Sequence, residues 1–128
     1  MNNTKQILVS KCSDGVYCAV TADDATIGVL DVMVMRGGYI VIRNCNVFTI
    51  DPTTWKQTVT ALVLAMYDDN RALLEDGCHV RIQHSNSPMS DELTAEWFCG
   101  LGIGLLDYDH PYVANPTADK ALSDLLCN

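Results

Sequence analysis

One carboxylate stands where a carboxylate costs most. Asp31 lies inside residues 27–35, IGVLDVMVM, an otherwise apolar run. A charge in such a setting must be paired, sit at an edge, or serve a function, because desolvating it without compensation is expensive. The other chemistry-bearing residues are scattered. His79 and His84 are five residues apart in a stretch that reads as a strand, so they fall on opposite faces and make poor joint ligands. Cys78 adds a thiol beside them but no zinc-binding spacing. His110, before Pro111, reads as a solvated loop residue. A nucleophilic triad needs a serine or cysteine, a base and an orienting group, and no GxSxG elbow is present to hold one.

Gly100-Leu101-Gly102-Ile103-Gly104 has the look of a nucleotide loop but lies between a helix end and a strand. Phosphate loops run the other way, from strand into helix N-terminus, so these glycines read as a helix stop. Carboxylates also cluster at Asp23-Asp24, Glu75-Asp76, Asp91-Glu92, Asp107 and Asp109, each at an element end, where capping and solvation are the usual reasons. No catalytic set, metal or cofactor is expected.

The six cysteines, Cys12, Cys18, Cys45, Cys78, Cys99 and Cys127, contain no CxxC pair, and most sit in apolar runs. They are read as reduced thiols of the core. A Cys12–Cys18 bridge across a hairpin is the alternative, and it would require an oxidising compartment. At 128 residues, 48% apolar and 19% charged, the chain suits one globular domain spanning 1–128. No apolar run is long enough to span a bilayer, and the N-terminal residues lack a signal peptide's apolar core, so a soluble cytoplasmic protein is expected. Sixteen acids against eight bases give a net charge of −8. Nucleic-acid binding draws most of its affinity from cations neutralising phosphates, so direct binding to DNA or RNA is disfavoured. A basic protein surface is the better match.

The elements that would position these residues follow from pattern. QILVSKC and VYCAVT flank Ser13-Asp14-Gly15 as a hairpin, and Gly37-Gly38 joins the 27–35 run to YIVIRNCNVF as a second. The 27–35 run, apolar at both parities, predicts a central strand buried on both faces. Asp51-Pro52 opens a helix whose face is Trp55, Val59, Leu62, Val63 and Met66, extended by Leu73 and Leu74 and stopped at Gly77. CHVRIQH then predicts a strand. Ser90 caps a helix over about 90–100 with a stripe of Met89, Leu93, Trp97 and Leu101, and IGLLDY predicts the next strand. Thr117 caps a short final helix carrying Leu122, Leu125 and Leu126. The order ββββ-α-β-α-β-α predicts an α+β fold, an antiparallel meander followed by helical crossovers into a mixed sheet.

The block LDVMVMRGGYIVIRNCN, the following helix with Lys56-Gln57, and the strand–helix–GIGLLDYD end together resemble the PD-(D/E)XK nuclease-like superfamily over about residues 27–109. The resemblance implies that Asp31 stands where that family holds a metal-binding aspartate. The family's Glu-x-Lys should then fall near 43–45, where this chain has Arg43-Asn44-Cys45, and the usual helix before the hairpin is missing. Without the second carboxylate a divalent ion loses a hard ligand, and without the lysine the attacking water loses its partner. A non-enzymatic protein-binding module is therefore expected, possessing an acidic surface for a basic partner, acting as an inhibitor or immunity-type protein, with homodimerisation as a further expectation. Two rivals remain. One is a metal-dependent nuclease rearranged around Asp31 with Lys56 and Gln57. The other is a small-ligand sensor, whose sign would be an apolar pocket.

Overall fold

A computed structural model of the chain describes residues 6–83, 87–106 and 114–127. Six strands form one sheet in chain order: β1 (Ile7–Ser13), β2 (Val16–Thr21), β3 (Thr26–Met35), β4 (Tyr39–Val47), β5 (His79–Ile82) and β6 (Ile103–Leu105). The first four pair antiparallel, and β4, β5 and β6 run parallel. Parallel pairing demands crossovers. Helices α1 (Pro52–Asp69) and α2 (Arg71–Glu75) supply the first and α3 (Asp91–Gly100) the second, while α4 (Pro116–Leu126) closes the described chain. The α+β class with its opening meander is as expected.

Both hairpins form where glycine permits positive φ. Asp14-Gly15 makes a two-residue loop, and Gly37 and Gly38, at φ 100° and 91°, turn β3 into β4. Asp51 caps α1 by accepting from the Thr54 amide at 2.9 Å, and Trp55, Val59, Leu62, Val63 and Met66 are buried. At the other end Tyr17 donates to Asp69 at 2.5 Å and Lys11 pairs with the same carboxylate at 2.9 Å, pinning β1 and β2 to α1. Burial first, and then this hydrogen bond, push the Tyr17 hydroxyl up to about 12.

Several expectations need correction. The long helix does not run to Gly77. It breaks at Asn70, whose side-chain amide donates to the Met66 carbonyl at 2.8 Å and so competes with the backbone ladder. Leu74 is buried beyond the break but Leu73 is exposed. The anchor of α3 is Phe98, set edge-on against Trp55 at 6.2 Å between ring centroids, whereas Leu93 and Trp97 are only half-buried. Asn115, not Thr117, caps α4, accepting from the Ala118 amide at 3.3 Å. Cys12 and Cys18 are joined in a disulfide with Cα atoms 6.4 Å apart, so the reduced-core reading fails for them. They lie diagonally on the same face of adjoining strands, within reach of one another. Of the remaining thiols Cys45 is buried, Cys78 and Cys99 are half-buried and Cys127 is exposed.

The largest correction concerns β3, which is not buried on both faces. Leu30 and Val32 enter the core under α1, Val29 and Asp31 of the opposite parity are half-buried, and Met33, Val34 and Met35 are all exposed toward the hairpin end. A bulge decides the matching face of β4. Asp31 pairs with Asn44 and Val32 with Ile42, so Arg43 is the extra residue. The phase shift lets Ile40 and Ile42 on one side of it and Cys45 and Val47 on the other all point into the core. Without it, strict alternation would drive Asn44 and Asn46 inward.

Candidate functional site: the two faces of the sheet

The helices divide the sheet unequally. α1 lies against β1 to β4 on one face, with α3 beside it. On the other face α4 covers only the β5–β6 end. Its approach is made possible by Gly102 and Gly104, since a Cβ on the first would lie 2.7 Å from the Leu122 Cβ and on the second 2.6 Å from the Asn115 Nδ2. The glycine run thus admits a helix, in addition to stopping α3 at Gly100.

Under α4 a charged cluster forms around a buried arginine. Arg81 is 2% exposed and donates to both Asp119 oxygens, at 2.9 and 3.2 Å, and to the Val80 carbonyl at 2.9 Å. Its guanidinium stands 5.7 Å from the Tyr39 ring centroid. His79 Nδ1 reaches the same Asp119 at 3.2 Å. For Asp119, partial burial alone would raise the carboxyl, but the Arg81 hydrogen bonds and charge, with the Asn115 amide, hold it below its ordinary value. Nothing local in CHVRIQH points to a partner for Arg81, because Asp119 is 38 residues away.

Among the described residues no helix lies over the same face of β1 to β3, while Tyr39 and Val41 of β4 are buried on it. Leu8 is 50% and Met33 38% exposed, Met35 is exposed, and Val16, Val20 and Val29 are half-buried beside them. Asp31 sits in this patch, bonded at 2.9 Å to Arg43, the bulge residue. The Oδ1 atom of Asn44, cross-strand from Asp31, is buried with no hydrogen-bond partner.

The sequence-derived site residues are therefore not brought together. Asp31 points away from α1, since its neighbours Leu30 and Val32 point toward it. Lys56 and Gln57 belong to α1 across the sheet, where the Lys56 ammonium lies 5.1 Å from the Trp97 ring centroid and Gln57 is exposed. Among the described residues no three His, Cys, Asp or Glu side chains gather as metal ligands. His84, His110, Asp107 and Asp109 lie outside the described residues, so the proposed separation of His79 and His84 is open. No helix among the described residues is long and apolar enough to cross a membrane.

One crevice, of about 480 Å³, opens at the carboxyl ends of β5 and β6 against α3. Ile82, Phe98 and Ile103 give it an apolar floor, and Gln83, Asp91 and Asn115 line its polar side. Open α/β sheets favour ligands in this position. Charge, finally, is segregated. Asp31 is the only acid that any described strand carries. Lys11, Arg43, Arg71, Arg81 and Lys120 are each tied to an acid. On the helices and their ends, Asp68, Asp76, Asp91, Glu92 and Glu96 have no ion-pair partner among the described residues. Comparison with family models, with curated proteins and with solved structures finds no match to this chain.

Proposed function

We propose that this chain is a non-enzymatic protein-binding module whose acidic helical side receives a basic partner, in the manner of an inhibitor or immunity-type protein. The observation that carries this reading is the charge segregation. Five of the seven described Lys and Arg side chains, Lys11, Arg43, Arg71, Arg81 and Lys120, are paired with an acid, while Asp68, Asp76, Asp91, Glu92 and Glu96, on helices and helix ends and three of them on α3, have no ion-pair partner among the described residues. Such a surface steers a basic partner and rejects phosphate backbones. The decisive experiment is affinity capture with the wild-type chain and with Asp91→Asn/Glu92→Gln/Glu96→Gln. A basic protein retained by the first, lost by the second and released by salt supports the reading. Equal recovery by both chains, or recovery of no basic protein, sinks it.

The nuclease-like ancestry implied by the 27–109 pattern fits this role as a copy that has lost its chemistry. Asp31, the one residue that would remain of the metal site, is neutralised by Arg43, and Lys56 and Gln57 stand across the sheet from it. Incubation with DNA or RNA and Mg²⁺ or Mn²⁺ is expected to give no cleavage. Metal-dependent cutting abolished by Asp31→Ala would reinstate the rearranged-enzyme reading. The crevice beside α3 favours the small-ligand alternative, which a thermal-shift screen of small metabolites would test.

A further inference from the structure

We propose that the uncovered face of β1 to β4 is the seat of a second copy of this chain, packed face to face about a two-fold axis beside Asp31 and Arg43. The inference goes beyond the acidic-side reading and does not depend on it, since it concerns the opposite face and needs no partner.

Three observations select this occupant. The first is chemical. The face presents Leu8, Val16, Val20, Val29, Met33 and Met35 around a single ion pair. Contiguous apolar surface of this kind on a sheet is characteristic of protein contact.

The second is charge. A chain at −8 repels its own copies, and Asp68, Asp76, Asp91, Glu92 and Glu96 of the helices and their ends have no ion-pair partner among the described residues. Among the described strand residues of this face the charges are Asp31 and Arg43, and they cancel, with Arg36 at the β3–β4 turn beyond them. It is the surface on which two copies meet without repulsion, whereas a strongly basic partner would find nothing there to neutralise.

The third is symmetry. An isologous contact requires a patch complementary to itself. One acid beside one base meets that need, because a two-fold axis near the pair sets Asp31 of each copy against Arg43 of the other. Four strands spaced about 4.8 Å apart, each rising about 3.3 Å per residue, give a face of roughly 20 by 25 Å. That is a footprint of about 500 Å², nearer the small, weaker class of interface than the about 800 Å² of accessible surface per partner that a standard dimer buries.

Sedimentation equilibrium of the purified full chain, from about 1 to 100 µM, reads the outcome directly. Wild type is expected to be dimeric. Met33→Arg, at an exposed site, is expected to weaken the dimer by about a hundredfold, since it places like charges across the axis. Asp31→Arg and Arg43→Asp are each expected to be monomeric alone and to form a heterodimer when mixed. The double variant Asp31→Arg/Arg43→Asp is expected to dimerise again, which separates the effect from misfolding. A wild-type monomer throughout the range overturns the proposal. So does a dimer that Met33→Arg leaves intact, and so does failure of the two charge variants to pair when mixed.

Discussion

Two arginine–aspartate pairs lie on the same face of this sheet, one under α4 and one outside its reach, with the same 2.9 Å contact. At the β5–β6 end, Arg81 is 2% and Asp119 18% exposed, and α4 lies over both. At the β1–β4 end, Arg43 is 46% and Asp31 31% exposed, with no helix above. The distance alone says nothing of what each pair does. Removing one member of the covered pair leaves a charge buried and unmatched, whereas water replaces a lost partner at the open pair. The covered pair pins a helix, and the open pair marks a surface that is still available.

The largest test of this contrast is Asp119→Ala against Asp31→Ala in chemical denaturation. Loss of Asp119 strands Arg81 and is expected to cost about 3–5 kcal/mol. Loss of Asp31, measured at concentrations low enough to keep the chain monomeric, is expected to cost less than about 1 kcal/mol. Similar costs would break the comparison.

Acid should separate the ends in the same way. The folded Asp119 carboxyl lies below its ordinary value of 3.8, so its contribution is complete above that value and is lost as pH falls through the depressed folded value. Wild type is therefore expected to lose stability steeply below about pH 4, and Asp119→Asn to show a flatter acid limb. An unchanged limb would mean that other carboxylates dominate. The smallest effect concerns thiols. Burial pushes Cys45 up to about 12, while Cys127 is exposed, so native-state alkylation should modify Cys127 and spare Cys45. Rapid labelling of Cys45 would show that the core under α1 opens readily.

Much of the fold was legible because local signals carried it. The hairpin turns at Gly15 and Gly37-Gly38, the Asp51 and Ser90 caps and the periodic face of α1 are short-range facts. The two faces of the sheet were not legible. Val29, Met33 and Met35 are as apolar as Leu30 and Val32, so residue type alone implied burial for both sets. α1 covers Leu30 and Val32, and whether the other set is covered too depends on where α4 reaches, which is fixed by Gly102, Gly104 and a charge partner 38 residues along the chain. Asp31 was singled out as a charge in a doubly buried strand, whereas it lies on the open face paired with Arg43, a partner hidden by a one-residue bulge. Arg43 was noticed chiefly as the absence of a glutamate. Trp97 and Phe98 show the same limit at a helix, where adjacent aromatics could not be ranked until Trp55 was seen to meet Phe98.

That bulge also bears on how the strand could be edited. A deletion inside a sheet normally inverts every residue beyond it, sending the core outward. Arg43 is the exception in β4. Excising it would leave YIVINCNV, in which Ile40, Ile42, Cys45 and Val47 fall into unbroken alternation. Arg43 thus behaves as an insertion already absorbed by the fold, carried outside the repeat and spent on Asp31. A chain lacking it is expected to fold with its core intact, its β4 straightened and its open face left with an unmatched carboxylate, as a melt and a sedimentation run on the deletion variant would show. A history of gain and loss at this single position would tune the face without disturbing the body beneath it.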